Sequence, residues 1–113
     1  MVYRILRDQW FLDWFAEWAG GFDWDLGNSQ KPVKHGLSIA DIEEFFSRTT
    51  VVHGRIEEPF NANWTEERFL LTQRSPHVGK CFSIIATVRA DHLRIVTCRR
   101  SWPEEEARHD SNS

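Results

Sequence analysis

The sequence predicts an α+β domain in which helices come first, a run of antiparallel strands follows, and a short helix closes the chain. Three observations carry that reading. Aromatic residues recur at helical spacing near the start, β-branched and apolar residues crowd into short runs after residue 49, and Pro103 opens a final polar segment rich in glutamate. Such an order is expected to give an antiparallel sheet with the helices packed on one face.

Residues 3–19 read as the first helix. Trp10, Trp14 and Trp18 recur every fourth residue, Phe11 and Phe15 fill the adjoining stripe, and Gly20 and Gly21 end it. The aromatic stripe either covers the core or serves as a dimer contact or a lid, since tryptophan is favoured in interfaces. Phe22–Trp24 reads as a short strand, after which Asp25 or Asn28 caps a helical turn running toward Pro32 and Lys34. Ser38 is the N-cap of the next helix, with Asp41 three residues on and Ile39, Ile42, Phe45 and Phe46 on its apolar face; it should end near Arg48.

Thr49–His53 is a short β-branched strand, residues 54–65 a polar loop broken by Pro59, and Arg68–Gln73 another strand followed by a turn at 75–79. Cys81–Arg89 and His92–Arg99 form a hairpin about Ala90 and Asp91. With a two-residue turn Arg89 faces His92 and Thr87 faces Arg94, so both arginines share one side. Phe82, Ile84, Ala86, Val88, Leu93 and Ile95 form the opposite, apolar side, where helices should pack. Arg99 falls on the apolar parity unless a bulge intervenes or the strand ends first. Pro103 opens the last helix, expected to run through Glu106.

The 113 residues suffice for one domain with one modest core. No apolar run approaches the roughly 20 residues of a membrane span, and Asp8, Asp13 and Glu17 interrupt the start where a signal peptide needs an apolar stretch, so a cytoplasmic protein is expected. Cys81 and Cys98 form no close pair and read as free buried thiols, with neither zinc nor redox motif. His53, His77, His92 and His109 have no partner at metal-ligand spacing and are expected at the surface.

The net charge of −3 is unevenly spread. Residues 61–102 hold seven basic side chains against three acidic ones, whereas residues 1–30 hold two against five and the tail from Pro103 holds one against four. A local basic surface in an acidic protein suits a phosphate-bearing ligand at one site.

Several short motifs in order carry a more specific message: FDWD at 22–25, KHGLS at 34–38, EERF at 66–69, and VRADHLRIVTCR at 88–99 followed by Glu105. Together they resemble the BrnT family of type II toxins over residues 22–108. On that resemblance residues 1–21 are a Trp-rich helical extension and residues 109–113 a disordered tail. The resemblance implies a fold related to the RelE ribonuclease toxins, cleavage of messenger RNA without metal or cofactor, and neutralisation by a BrnA-like ribbon-helix-helix DNA-binding antitoxin, with a homodimer left open.

It also places the family's catalytic positions on Lys34, His35, Glu67, Arg68, Arg89 and Arg99, with Arg94 and Arg100 binding substrate. Metal-free RNA cleavage needs a base for the 2′-hydroxyl proton, an acid for the leaving oxygen, and cations for the phosphorane charge. Arginine suits the last role through its planar fork of donors. His35 is the candidate for proton transfer because its ordinary pKa lies near neutrality, and Glu67 is the competing base. Glu105 is expected to anchor the closing helix to a strand arginine. A non-catalytic module that uses the same basic sheet to bind nucleic acid or an acidic partner is the alternative.

Overall fold

The computed structural model describes residues 4–25, 38–46, 50–57, 66–74 and 79–112. Among these residues the fold is α+β: five antiparallel strands in the order β1-β2-β3-β4-β5 and three helices. The strands are β1 (Ile5–Leu6), β2 (Val51–Ile56), β3 (Phe69–Arg74), β4 (Cys81–Arg89) and β5 (His92–Arg100). The helices are α1 (Gln9–Glu17), α2 (Ile39–Phe46) and α3 (Pro103–Asn112). Among the described residues no helix is long and apolar enough to cross a membrane.

The chain does not begin as one helix. Ile5 and Leu6 pair with Ile56 and Arg55 as an edge strand, and the helix starts only after Asp8, whose carboxylate accepts from the Phe11 N–H at 2.9 Å. The edge strand is admitted by Gly54, which has φ +144°. A Cβ there would collide with the Leu6 carbonyl oxygen, so only glycine permits the approach. The stripe on α1 then does what a core-covering stripe should: Phe11 is fully buried and stacks on Phe69 with ring centroids 3.9 Å apart. Trp10, by contrast, is 57% exposed. The α2 helix opens with the expected capping box, the Ser38 hydroxyl accepting from the Asp41 N–H and the Asp41 carboxylate accepting from the Ser38 N–H, both at 3.0 Å.

The hairpin register is the expected one from Arg89↔His92 to Ala86↔Ile95, after which the pairing slips by one residue, so Ile85 meets Thr97 and Ser83 meets Arg99. This bulge places Arg99 on the polar side with Ser83 and leaves Cys98 in the core beside Ile84. The turn needs positive φ at its first central residue, and Ala90 adopts it at 55°.

Two faces result. One carries Phe69, Leu71, Phe82, Ile84, Ala86, Leu93 and Ile95 and is covered by α1 and α2 through Phe11 and Ile42. The other carries Thr72, Ser83 and Thr87, with a smaller apolar cluster of Ile56, Leu70 and Ile85. The expectation that all helices share one face is corrected here, because α3 packs on this second face through Ser83–Glu105 at 2.9 Å and Thr72–His109 at 2.8 Å. Its hydroxyl-rich surface calls for a polar helix, and α3 supplies one. That helix also outruns its expected end at Glu106, continuing to Asn112 where a frayed tail was expected, and His109 is buried.

Candidate functional site

The expected arginines do not form one site. Arg89 and Arg94 lie at the hairpin end of the second face, beside Thr87, which pairs with Arg94. Residues 21–25 run along the outer edge of β5, the Asp23 N–H donating to the Leu93 carbonyl and the Leu93 N–H to that of Gly21. Strand alternation then sends Phe22 and Trp24 toward the aromatic core and aims Asp23 and Asp25 at the arginines. Arg94 Nη2 pairs with Asp25 at 2.9 Å, while its Nη1 stands 3.7 Å from Asp23 and, although buried, makes no hydrogen bond. Arg89 grips Glu66 with Nη2 at 3.0 Å and Nε at 3.4 Å, and its Nη1 lies 3.8 Å from Asp23.

Glu66 is held below the usual carboxylate range, first by the hydrogen bond from Arg89, with the nearby positive charge of Arg68 adding to it. It is therefore ionised at neutral pH and can accept a proton but not supply one. Glu66, Asp23 and Asp25 escaped the sequence assignment. Glu66 lies in a bend ahead of β3, so strand alternation alone could not choose it over Glu67.

Glu67, expected as the competing base, is 63% exposed and lies 3.9 Å from Arg55, which also pairs with Asp8. It joins the cluster only through its backbone carbonyl, which accepts from the Thr87 hydroxyl at 2.8 Å. Arg99 is five residues along β5 from Arg94, about 17 Å at strand rise, and is turned to the closing helix instead of the cluster. Its guanidinium makes a two-pronged bond to Glu105 at 2.7 and 2.8 Å and sits 3.8 Å over the Trp102 ring. The expected anchoring of the closing helix by Glu105 is thus present, with Arg99 as the strand arginine. Arg100 pairs with Phe82 and so belongs to the opposite face from Arg89 and Arg94. Lys34 and His35 lie outside the described residues, as do His77 and the expected turn leading to Pro32.

The uneven charge of the sequence is balanced in three dimensions. Acids from 23–25 and 105–110 come home to the basic strands: Arg94 to Asp25, Arg99 to Glu105, and Arg74 to Glu106 and Asp110, each of the last two at 2.9 Å. Where a local basic surface was expected, the described residues form a compact cluster of mixed charge.

Two histidines expected at the surface are drawn in beneath α3. The Thr72 hydroxyl stands 2.8 Å from both His53 Nε2 and His109 Nδ1. Burial pushes His53 down to about 4 and His109 below the ordinary imidazole value, so both are neutral near pH 7. His92 alone of the described histidines is exposed as expected. Cys81 and Cys98 are free and buried, and burial pushes the Cys98 thiol up to about 12, which makes it inert.

Compared with known proteins, the chain matches no family model, no curated protein and no solved structure. The functional reading therefore rests on what its residues and their geometry can do.

Proposed function

We propose that the protein is a BrnT-like, RelE-related toxin of a type II toxin–antitoxin pair, a cytoplasmic endoribonuclease that cleaves messenger RNA without metal or cofactor. Its partner would be a BrnA-like ribbon-helix-helix antitoxin. One observation carries the reading: three motifs far apart in sequence converge on a single cluster. FDWD contributes Asp23 and Asp25, EERF contributes Glu66, and the hairpin motif contributes Arg89 and Arg94.

The chemistry follows from the geometry. Arg89, with its side chain 48% exposed, is the group that meets a phosphate, exchanging part of its contact with Glu66 for the ligand. The unsatisfied Nη1 of Arg94 is a second donor that a phosphate oxygen would complete. Asp23 and Asp25 hold Arg94 in place. Glu66, already ionised, takes the base role in preference to Glu67, and His35 keeps the proposed role of acid. Lys34 and Arg68 complete the phosphate-binding set.

Purified protein incubated with single-stranded RNA in EDTA should cut it, and Arg89→Ala should lower the rate by about 10²-fold or more without lowering the melting temperature. Glu66→Gln should lower it comparably while keeping RNA affinity. Intact RNA with wild-type protein, or equal cleavage by wild type and Arg89→Ala, overturns the reading. The commitment of both arginines to carboxylates leaves one second reading, a non-catalytic module that binds nucleic acid or an acidic partner; retained RNA binding with no cleavage would select it.

A further inference from the structure

The carboxyl end of α1 builds a groove that the arginine cluster does not use. Two adjoining cavities of about 300 and 340 Å³ meet at Trp18 and Ala19. Trp14, Trp18, Phe22 and Phe46 form their aromatic walls, with Trp18 edge-on to Phe22 at 4.9 Å and to Phe46 at 5.6 Å. The described polar rim is acidic: Glu17 and Asp91 border one cavity and Glu43 the other. Among the described residues no basic side chain lines either.

This is an exception in a molecule whose arginines meet carboxylates almost everywhere else. Glu43 accepts from the Trp24 indole N–H at 3.0 Å, but neither Glu17 nor Asp91 forms an ion pair with a described residue. Glu17 also stands in the last turn of α1, where the outward carbonyls already present negative charge, and no basic residue occupies that turn to offset it. Local stability does not explain such an arrangement. Carboxylates, helix carbonyls and indole faces, three independent features, all favour an organic cation at one place.

We propose that this groove binds arginine or lysine side chains presented by a basic peptide segment of another protein. Aromatic walls favour a planar guanidinium or an alkylammonium stem over a hydrated metal ion. Two joined cavities, each of side-chain size, suit neighbouring residues of a segment more than a lone small amine. A second copy of this chain is a poor occupant, since its net charge is −3 and its strand arginines are held by its own acids. The groove is separate from the proposed RNA site and does not depend on that reading.

The test uses the full chain and a fluorescein-labelled twelve-residue peptide carrying arginine and leucine at helical spacing, with a twin in which glutamate replaces every arginine. Anisotropy should show saturable binding of the basic peptide and none of the acidic twin. Glu17 and Asp91 are exposed, so the double variant Glu17→Lys/Asp91→Lys should fold normally and weaken binding at least tenfold. Trp14→Ala should weaken it by a similar factor. The double variant should cleave RNA as wild type does, which keeps failure of this site distinguishable from failure of the nuclease. Absence of saturable binding, or binding that survives the charge reversal unchanged, overturns the proposal.

Discussion

The two faces of the sheet are closed by different physics. On one, α1 and α2 lie over a continuous apolar surface, and rings interlock from Phe69 through Phe11 to Trp14 and Trp18. On the other, α3 is fastened by directional bonds: Arg99 to Glu105, Ser83 to Glu105, Thr72 to His109, and Arg74 to Glu106 and Asp110. The first closure is non-directional and should tolerate changes of pH and salt. The second depends on protonation states and on pairs that fail as units. The Arg89–Arg94 cluster accordingly sits on the second face, where a polar surface already has to be satisfied.

The contrast can be broken most forcefully at Phe11. Its side chain is fully buried against Phe69, and Phe11→Ala should lower unfolding free energy by about 4 kcal/mol, the range for a buried aromatic truncation. Trp10→Ala, one residue away but largely exposed, should cost less than about 1 kcal/mol. Urea titration of both variants measures the difference, and equal effects would mean that α1 is not anchored by its buried face.

The polar closure should yield next. Glu105 is 6% exposed and accepts from Arg99, Ser83 and the Trp102 N–H. Removing it takes from the largely buried Arg99 guanidinium its carboxylate and from Ser83 and the Trp102 N–H an acceptor, so Glu105→Ala should cost about 3 kcal/mol. Replacing both partners, Arg99→Met with Glu105→Leu, should recover part of that loss, because no charge is then left without its counter-charge and only the Trp102 N–H and Ser83 lose an acceptor. A double variant as unstable as the single one would show that the bonds, and not the stranded charge, set the cost.

How far these faces were legible in the sequence follows the same division. The apolar face was readable, since alternation in Phe82, Ile84, Ala86 and Val88 states which side is buried, and the aromatic stripe of α1 states what covers it. The polar face was not, because its partners are set by tertiary pairing. Nothing local to Glu105 or His109 says that a serine and a threonine more than twenty residues back will meet them. The slip between Ile85 and Ala86 decides the side of Arg99, yet it leaves only a parity conflict in the sequence. Of the candidate site, Arg89 and Arg94 were placed together by register, whereas the preference for Glu66 over Glu67 is set in a bend ahead of a strand that begins at Phe69, where alternation does not reach.

The smallest effect is the one that best separates the faces, because it acts on the second alone. His53 lies under α3 beside Thr72, with Arg108, Glu105 and His109 as its charged or titratable surroundings. Its folded-state pKa of about 4 is below the ordinary 6.5, so between those values the unfolded chain binds the extra proton and stability rises with pH. That contribution is fully present above pH 6.5 and is lost as pH falls toward 4. His109, also lowered, acts in the same direction, whereas Glu105 and Glu66, held below the usual carboxylate range, lose their contributions only under more acidic conditions. With screening at this half-buried site allowed for, the His53 loss should be about 1 kcal/mol at pH 5. Thermal melts of wild type and His53→Gln at pH 7 and pH 5 measure it: the variant should lose most of the decline that wild type shows, while Phe11→Ala should keep it. An equal decline in wild type and His53→Gln would place the acid sensitivity elsewhere, and the α3 side would then be closed by contacts as indifferent to protonation as those of the aromatic side.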